Sequence, residues 1–401
     1  MSSVFVGSFA QDVTPRGIHI SLGADARTTA TVSWHTNGFQ DPGTVVEWGT
    51  TPSLSQGVSG TGSAAPESVP VILHEVVLAG LPGGAEIFYR AGSELGWSAT
   101  RSFRTSPNES RFRFTVFGDH GTKPAAQRTT ALVREAAPNL HLIAGDVSYA
   151  NSDPAVWNTW FEQTESVFAH TPVMPAPGNH DTESTQTGNG AVAYLARFAL
   201  PGEELFYSFD FGRVHFTIFH STYEADPAGV PEQLAFLEQD LRDAAARRDA
   251  GELDFLIVVQ HHPLWANFED QDLMRHYLER RANPVLIALE ENALVRYGVD
   301  VLITGHNHHY ERSKPMMYAT ATDPRTTGYQ DPPGYVEIVT GGGGTGLYEF
   351  RDPGDFPEWS AAHARRFHFV QFDIDGPSMT VSAIATDENA GEILDTWTLQ
   401  R

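Results

Sequence analysis

The sequence predicts a chain in two parts: an all-β sandwich, then an α/β layered unit of mixed sheets flanked by helices. Three observations carry this. Residues from about Gly17 to Thr105 fall into short alternating runs separated by Gly, Pro, Asp and Asn turns. Beyond that point strand-like runs alternate with helix-like ones, as in layered α/β units. At 401 residues the chain is also long for one core.

The first part offers HISLG, TATVSWHT, TVVEWGT, HEVVLAG, IFYRAG and SATRSFRT, rich in Val, Ile, Thr and aromatic residues. Such spacing predicts a sandwich of about seven strands. His19, His35 and His74 are scattered through it and read as surface or packing residues. SPNES, from Ser106 to Ser110, reads as a linker, which sets the expected domains at 1–106 and 107–401. In the second part RFRFTVF, LHLIA, LDFLIVVQ and VDVLIT read as buried strands, and YSFDF with RVHFTIFH as a hairpin. AAQRTTALVREAAP, DPAVWNTWFEQTESVF, PEQLAFLEQDLRDAAARR and NPVLIALEENALVRYG read as helices. TPVMPAP is a short extended run, and YVEIVTG, HFVQFDI and MTVSAIATD return to strand near the end.

Composition removes several classes of function. Cysteine is absent, so disulfides, thiolate nucleophiles and thiolate metal sites are excluded. The formal net charge is −24, with Lys123 and Lys314 the only lysines. Binding along a nucleic-acid backbone is therefore not expected, since it needs clustered cations. No apolar run approaches the ~20 residues that cross a bilayer. MSSVFVGSFAQDVTPRG shows neither a positive n-region nor a long apolar stretch, so no secretory signal is visible.

The chemistry gathers where strands end. In open α/β sheets ligands bind beyond the carboxyl ends of the strands. FRFTVF is followed by GDHG, with Asp119 and His120. LHLIA is followed by GDVSY, with Asp146 and Tyr149, and TPVMPAP by GNHD, with Asn179, His180 and Asp181. DFLIVV is followed by QHHP, with His261 and His262, and VDVLIT by GHNHHYER, with His306, His308 and His309. A single GD is an ordinary turn and a single histidine pair is often superficial. Five strand ends supplied with metal-type donors point to one shared site. Carboxylates and imidazoles without sulfur suit iron, zinc or manganese. Asp119, Asp146, Tyr149, Asn179, His261, His306 and His308 are too many donors for one ion. Two ions ~3.5–4 Å apart, sharing a carboxylate, use the set fully. On an extended segment alternate side chains share a face. His306 and His308 are thus expected to reach one ion each, with His309 turned away.

These blocks resemble the purple acid phosphatases within the binuclear metallophosphoesterases. The family pattern GDxG, GDxxY, GNH(D/E), VxxH and GHxH is matched in order by GDHG, GDVSY, GNHD, VVQH and GHNH. The tyrosine of the second block is the specific element. The resemblance covers most of the chain. It implies a fibronectin III-like N-terminal sandwich followed by a calcineurin-like catalytic domain. It implies an acid phosphatase with a ferric ion on Asp119, Tyr149 and His308, and Asp146 as the bridge. Asn179, His261 and His306 would hold a divalent ion, iron, zinc or manganese. It implies hydrolysis of small phosphate monoesters by attack of a metal-bound hydroxide, with His180 assisting from the outer sphere and Asp181 orienting His180. A phosphodiesterase of the same superfamily, acting on nucleotides or phospholipid headgroups, is the alternative. A non-catalytic binding module is a more remote one. The resemblance also implies a secreted or periplasmic protein, with a cytoplasmic one as the alternative.

Two departures bear on the general acid. Plant members carry a histidine pair about nine residues after the VxxH ligand, where this chain has NFEDQD, Asn267 to Asp272. The variable position of GDxG holds His120. His120 and His262 therefore join His180 as candidate catalytic residues.

Overall fold

The computed structural model describes residues 12–401 except 67, 152, 183–190, 222–228, 268–283, 319 and 352–353. Strict alternation builds the first part. In Val71–Ala79, His74, Val76 and Leu78 are buried while Glu75, Val77 and Ala79 face outward, the period-2 signature of a half-buried strand. One antiparallel sheet runs Arg16–Leu22, Thr29–Asn37, Val71–Ala79, Thr61–Ala64. A second runs Gln56–Ser59, Val45–Gly49, Glu86–Ser93, Gly96–Trp97, and Arg101–Arg104 also pairs with Glu86–Ser93. The three strands without a clear sequence signal are QGVS, TGSA and GW, runs too short and too little buried to show a pattern.

The second part holds two seven-stranded mixed sheets. In the first, Val173–Ala176, Leu140–Ala144 and Arg111–Phe117 are parallel, and the antiparallel strands His368–Asp375, Ser378–Ala385 and Ile393–Gln400 extend it. In the second, Val214–Ile218, Phe255–Val259, Val301–Thr304 and Val336–Thr340 are parallel. Tyr207–Phe211 flanks them on one side, and Tyr310–Ser313 with Ser360–Ala364 on the other. The sheets meet through aromatic pairs: Phe112 with Phe211 at 5.0 Å and Phe114 with Phe216 at 5.3 Å, both edge to face. Along Phe255–Val259, Phe255, Ile257 and Val259 join this shared core. Val258 faces the other way, toward Leu237 and Leu241 of the Val230–Asp249 helix and Leu294 of the Pro284–Tyr297 helix. Helices thus cover the outer face. Among the described residues no helix is long and apolar enough to cross a membrane.

The sandwich is fastened to the second part through the Pro154–Phe168 helix. His19 stacks on Phe161 at 4.3 Å, Arg101 pairs with Glu165, and the Tyr89 hydroxyl donates to Ala169 O at 2.7 Å. His19, His35 and His74 are all buried, so each packs and none is a surface residue.

A charged cluster fixes the Val230–Asp249 helix to the second sheet. His215 Nδ1 lies 2.7 Å from Asp210 and Nε2 3.0 Å from Asp240 of the Val230–Asp249 helix. Burial opposes the imidazolium, but the two carboxylates outweigh it and push the His215 pKa up to about 9. The folded value thus exceeds the ordinary ~6.5, so the stabilisation is complete below ~6.5 and disappears as pH rises through about 9. His215→Gln should cost roughly 3 kcal/mol at pH 6. The gap to the parent chain should close progressively toward pH 10 in urea melts.

Candidate metal centre

Parallel strands bring their carboxyl ends to one side, and the loops leaving them are stitched by backbone. Asp119 N donates to Gly145 O at 3.1 Å, His120 N to Asp146 O at 3.1 Å and Gly305 N to His261 O at 2.9 Å. Asp119, Asp146, Tyr149 and His306 all sit at left-handed φ, +57°, +51°, +55° and +66°. L-residues adopt this region at a cost of ~1–2 kcal/mol each, and such strain concentrates at functional sites.

The side chains so displayed converge as two groups. Tyr149 Oη lies 2.8 Å from Asp119 Oδ1 and 2.9 Å from His308 Nε2, and the last two are 3.1 Å apart. Asn179 Oδ1 lies 3.0 Å from both His261 Nε2 and His306 Nδ1, which are 3.3 Å apart. A tetrahedron of ~2.0–2.1 Å metal bonds has edges of about 3.3 Å, so each triplet has the spacing of ligands around one ion. Asp146 stands between them. Its Oδ1 is 3.4 Å from His261 Nε2, and Asp119, Asp146 and His261 offer donors within 4.8 Å of one another.

The donors are aimed by their outer contacts. His261 Nδ1 donates to Ala144 O at 2.9 Å and His308 Nδ1 to Gly346 O, so both present Nε2. The second Asp119 oxygen accepts His306 N at 2.7 Å, and Asp146 Oδ1 accepts His180 N at 2.8 Å. Asp119 is 0 % and Asp146 1 % exposed. Among the described residues their ion-pair partners are histidines alone. Burial opposes a charge on His261, yet neighbouring Asp146 pushes its pKa up to about 9. The pocket is thus negative enough to demand positive charge. That demand, the oxygen and nitrogen donor set and the close spacing together fit two metal ions.

Two expectations about the surrounding residues change. Asp181 does not orient His180. Its carboxylate accepts Gly178 N at 2.9 Å and Val147 N at 3.2 Å, tying two ligand loops together, and burial followed by Asp146 raises its pKa to about 7. Asn151 takes that part, with Oδ1 2.7 Å from His180 Nδ1. His120 is not placed as an acid. Trp160 Nε1 donates to its Nδ1 at 3.0 Å, its Nε2 meets Ala126 O at 3.0 Å, and its ring stacks on Phe117. His262 lies beside the site, its ring 4.4 Å from that of His306. His309 is fully buried against Phe350. Of NFEDQD only Asn267 is described, and the acidic remainder lies outside the described residues.

Two contributors carry no obvious motif. GGGGTG, Gly341–Gly346, follows the Val336–Thr340 strand and wraps the Asp119 loop. A Cβ on Gly341 would stand 2.3 Å from Asn307 O and 2.7 Å from Asp119 Oδ2. Four consecutive glycines at a sixth strand end were the available signal. Beyond them Tyr348 stacks on His308 at 3.8 Å.

Gly145 shows how little room remains. It adopts φ +80°, and a Cβ there would lie 2.4 Å from His261 Nδ1. Gly145→Ala should leave the sheets folded by circular dichroism while metal retained after dialysis falls at least about tenfold.

The comparisons agree with this architecture. A model of the calcineurin-like phosphoesterases matches residues 112–310, and one of the purple acid phosphatase N-terminal domain matches 15–105. Human "Acid phosphatase type 7" is 30% identical over 416 residues, covering 98% of this chain and 92% of its own. "Purple acid phosphatase 18" of Arabidopsis thaliana is 30% identical, covering 88% and 77%. The yellow lupin purple acid phosphatase PPD1 superposes with TM-score 0.84 at 24% identity, over 98% of this chain and 76% of that one. With the strand-end donors in place and a full-length relative at this identity, the chain belongs to the purple acid phosphatase family of metallophosphoesterases and is an acid phosphatase hydrolase.

Proposed function

We propose that the chain hydrolyses small phosphate monoesters at a two-metal centre. A ferric ion would be held by Asp119, Tyr149 and His308, and a divalent iron, zinc or manganese by Asn179, His261 and His306, with Asp146 shared. The observation that carries this is the pair of donor triplets, each 2.8–3.3 Å on a side, flanking one buried carboxylate. Two such ions supply Lewis acidity toward phosphoryl oxygens and acidify a water for attack at phosphorus.

The chain's own side chains divide the remaining work. Asp119 and Asp146 supply negative charge that retains the cations. Tyr149 adds a hard oxygen donor, and its ring lies 4.6 Å from that of His180. His180 is the accessible group: its side chain is 39 % exposed, whereas Asp146 beside it is 2 % exposed. Asn151 Oδ1 can only accept, so His180 donates from Nδ1 and presents Nε2, which stands 4.0 Å from Asp146 Oδ2. A substrate ester oxygen over the centre would meet this nitrogen. His180 then hydrogen-bonds the phosphoryl group or delivers a proton to the departing alkoxide.

Purified protein should turn over p-nitrophenyl phosphate well above the bis-ester, with two metals per chain and loss of activity after chelation. Failure on the monoester with metals bound, or a faster bis-ester, would sink the proposal. Concentrated protein should show a visible tyrosinate-to-iron band that Tyr149→Phe removes. Asn151→Ala and His180→Asn should lower kcat for alkyl phosphates by about 10²-fold, and less for the nitrophenyl ester, whose leaving group needs no proton. Equal losses on both substrates would argue against proton delivery by His180.

A further inference from the structure

We propose that His262 is an additional ligand of the ion held by Asn179, His261 and His306, giving that ion three imidazoles. This rests on the two-ion reading and adds a donor to it. Three observations point to His262. One nitrogen each of His261, His262 and His306 lie within 4.8 Å of one another. Opposite ligands in a shell of ~2.1 Å bonds are about 4.2 Å apart, so a small closing movement around an ion completes the shell. The ring is 1 % exposed and sits 5.0 Å from His261 and 4.4 Å from His306, both measured between centroids.

The third observation concerns the tautomer. Ser221 Oγ accepts the His262 backbone N–H at 2.8 Å and lies 3.1 Å from His262 Nδ1. A hydroxyl oxygen has two acceptor sites, so it can take the Nδ1 proton as well. Nε2 is then the lone-pair nitrogen. His261 and His308 are arranged in the same way, each with Nδ1–H on a backbone carbonyl. The arrangement is that of ligand histidines oriented by an outer acceptor. It also separates His262 from the general-acid role: a ligating nitrogen has no proton to give.

The test uses the full chain stripped of metal and titrated with Co(II) by calorimetry and visible absorption. The parent chain should bind two equivalents. His262→Ala and His262→Gln, the latter preserving bulk, should bind one equivalent unchanged and the other at least about 100-fold more weakly. The cobalt d–d bands of that equivalent should also shift. Ser221→Ala should weaken the same equivalent by about tenfold, the lower end for loss of an outer contact. Both His262 variants should melt within a few degrees of the parent in the metal-free state. Affinity and spectrum equal to the parent would overturn the inference and leave the two-ion reading standing. Weaker binding with unchanged cobalt bands would also overturn it, since a packing neighbour acts that way. A parent chain taking up fewer than two equivalents would overturn both.

Discussion

The buried carboxylate pair Asp119 and Asp146 is the constraint on which the second domain depends. Each is almost wholly removed from water, and an uncompensated buried charge costs several kcal/mol even after relaxation. No arginine or lysine answers them among the described residues; histidines do. Asp395 and Asp300, also withdrawn from water, are by contrast paired with arginine, Arg312 and Arg401. The contrast is chemical. A guanidinium would fill the pocket permanently, whereas an imidazole can give up its proton and leave the pocket to a cation.

The fold meets this constraint with geometry that is itself costly. Asp119, Asp146, Tyr149 and His306 occupy left-handed φ, and Gly145, Gly178 and Gly305 have no room for a Cβ. Cross-loop backbone bonds and the Asp181 carboxylate hold these conformations. The rigid part is the parallel core of two sheets packed through phenylalanines. Strain of ~1–2 kcal/mol per left-handed residue is tolerable only on such a base. The same loops carry the recurring Gly-Asp and Gly-His pairs, because the glycine is what lets the next residue turn inward.

That coupling explains what was legible in the sequence. A loop that turns a donor inward favours a buried strand before it and a glycine at the turn, so such a block announces its element and its place at the strand ends. The Asp119, Asp146, Asn179 and His306 loops were readable for this reason, and the His261 loop, which has no glycine, from its histidine pair directly after a buried strand. Asn151 was not, since its partnership with His180 arises from a left-handed turn two residues after Tyr149, invisible to period or motif. Adjacency suggested Asp181 instead, but a helical turn at Asn179–Thr182 directs Asp181 back to the loop amides. The short strands QGVS and TGSA were missed because edge strands with small polar side chains have no burial pattern to reveal them.

The three histidines competing for the acid role are separated by what each nitrogen faces. His120 spends both nitrogens on the core, receiving Trp160 and meeting Ala126 O. Trp160 belongs to the helix that bears the sandwich, so His120 links the N-terminal domain to the loop of Asp119. His262 is enclosed among imidazoles, where a proton would repel the cation the pocket is built to receive. His180 alone combines a fixed Nδ1 with an exposed edge. A neutral amide behind it, rather than a carboxylate, orients the ring without adding charge to a pocket already crowded with it. On the proposed mechanism, proton delivery and cation retention fall to different residues, so each can be tuned without disturbing the other.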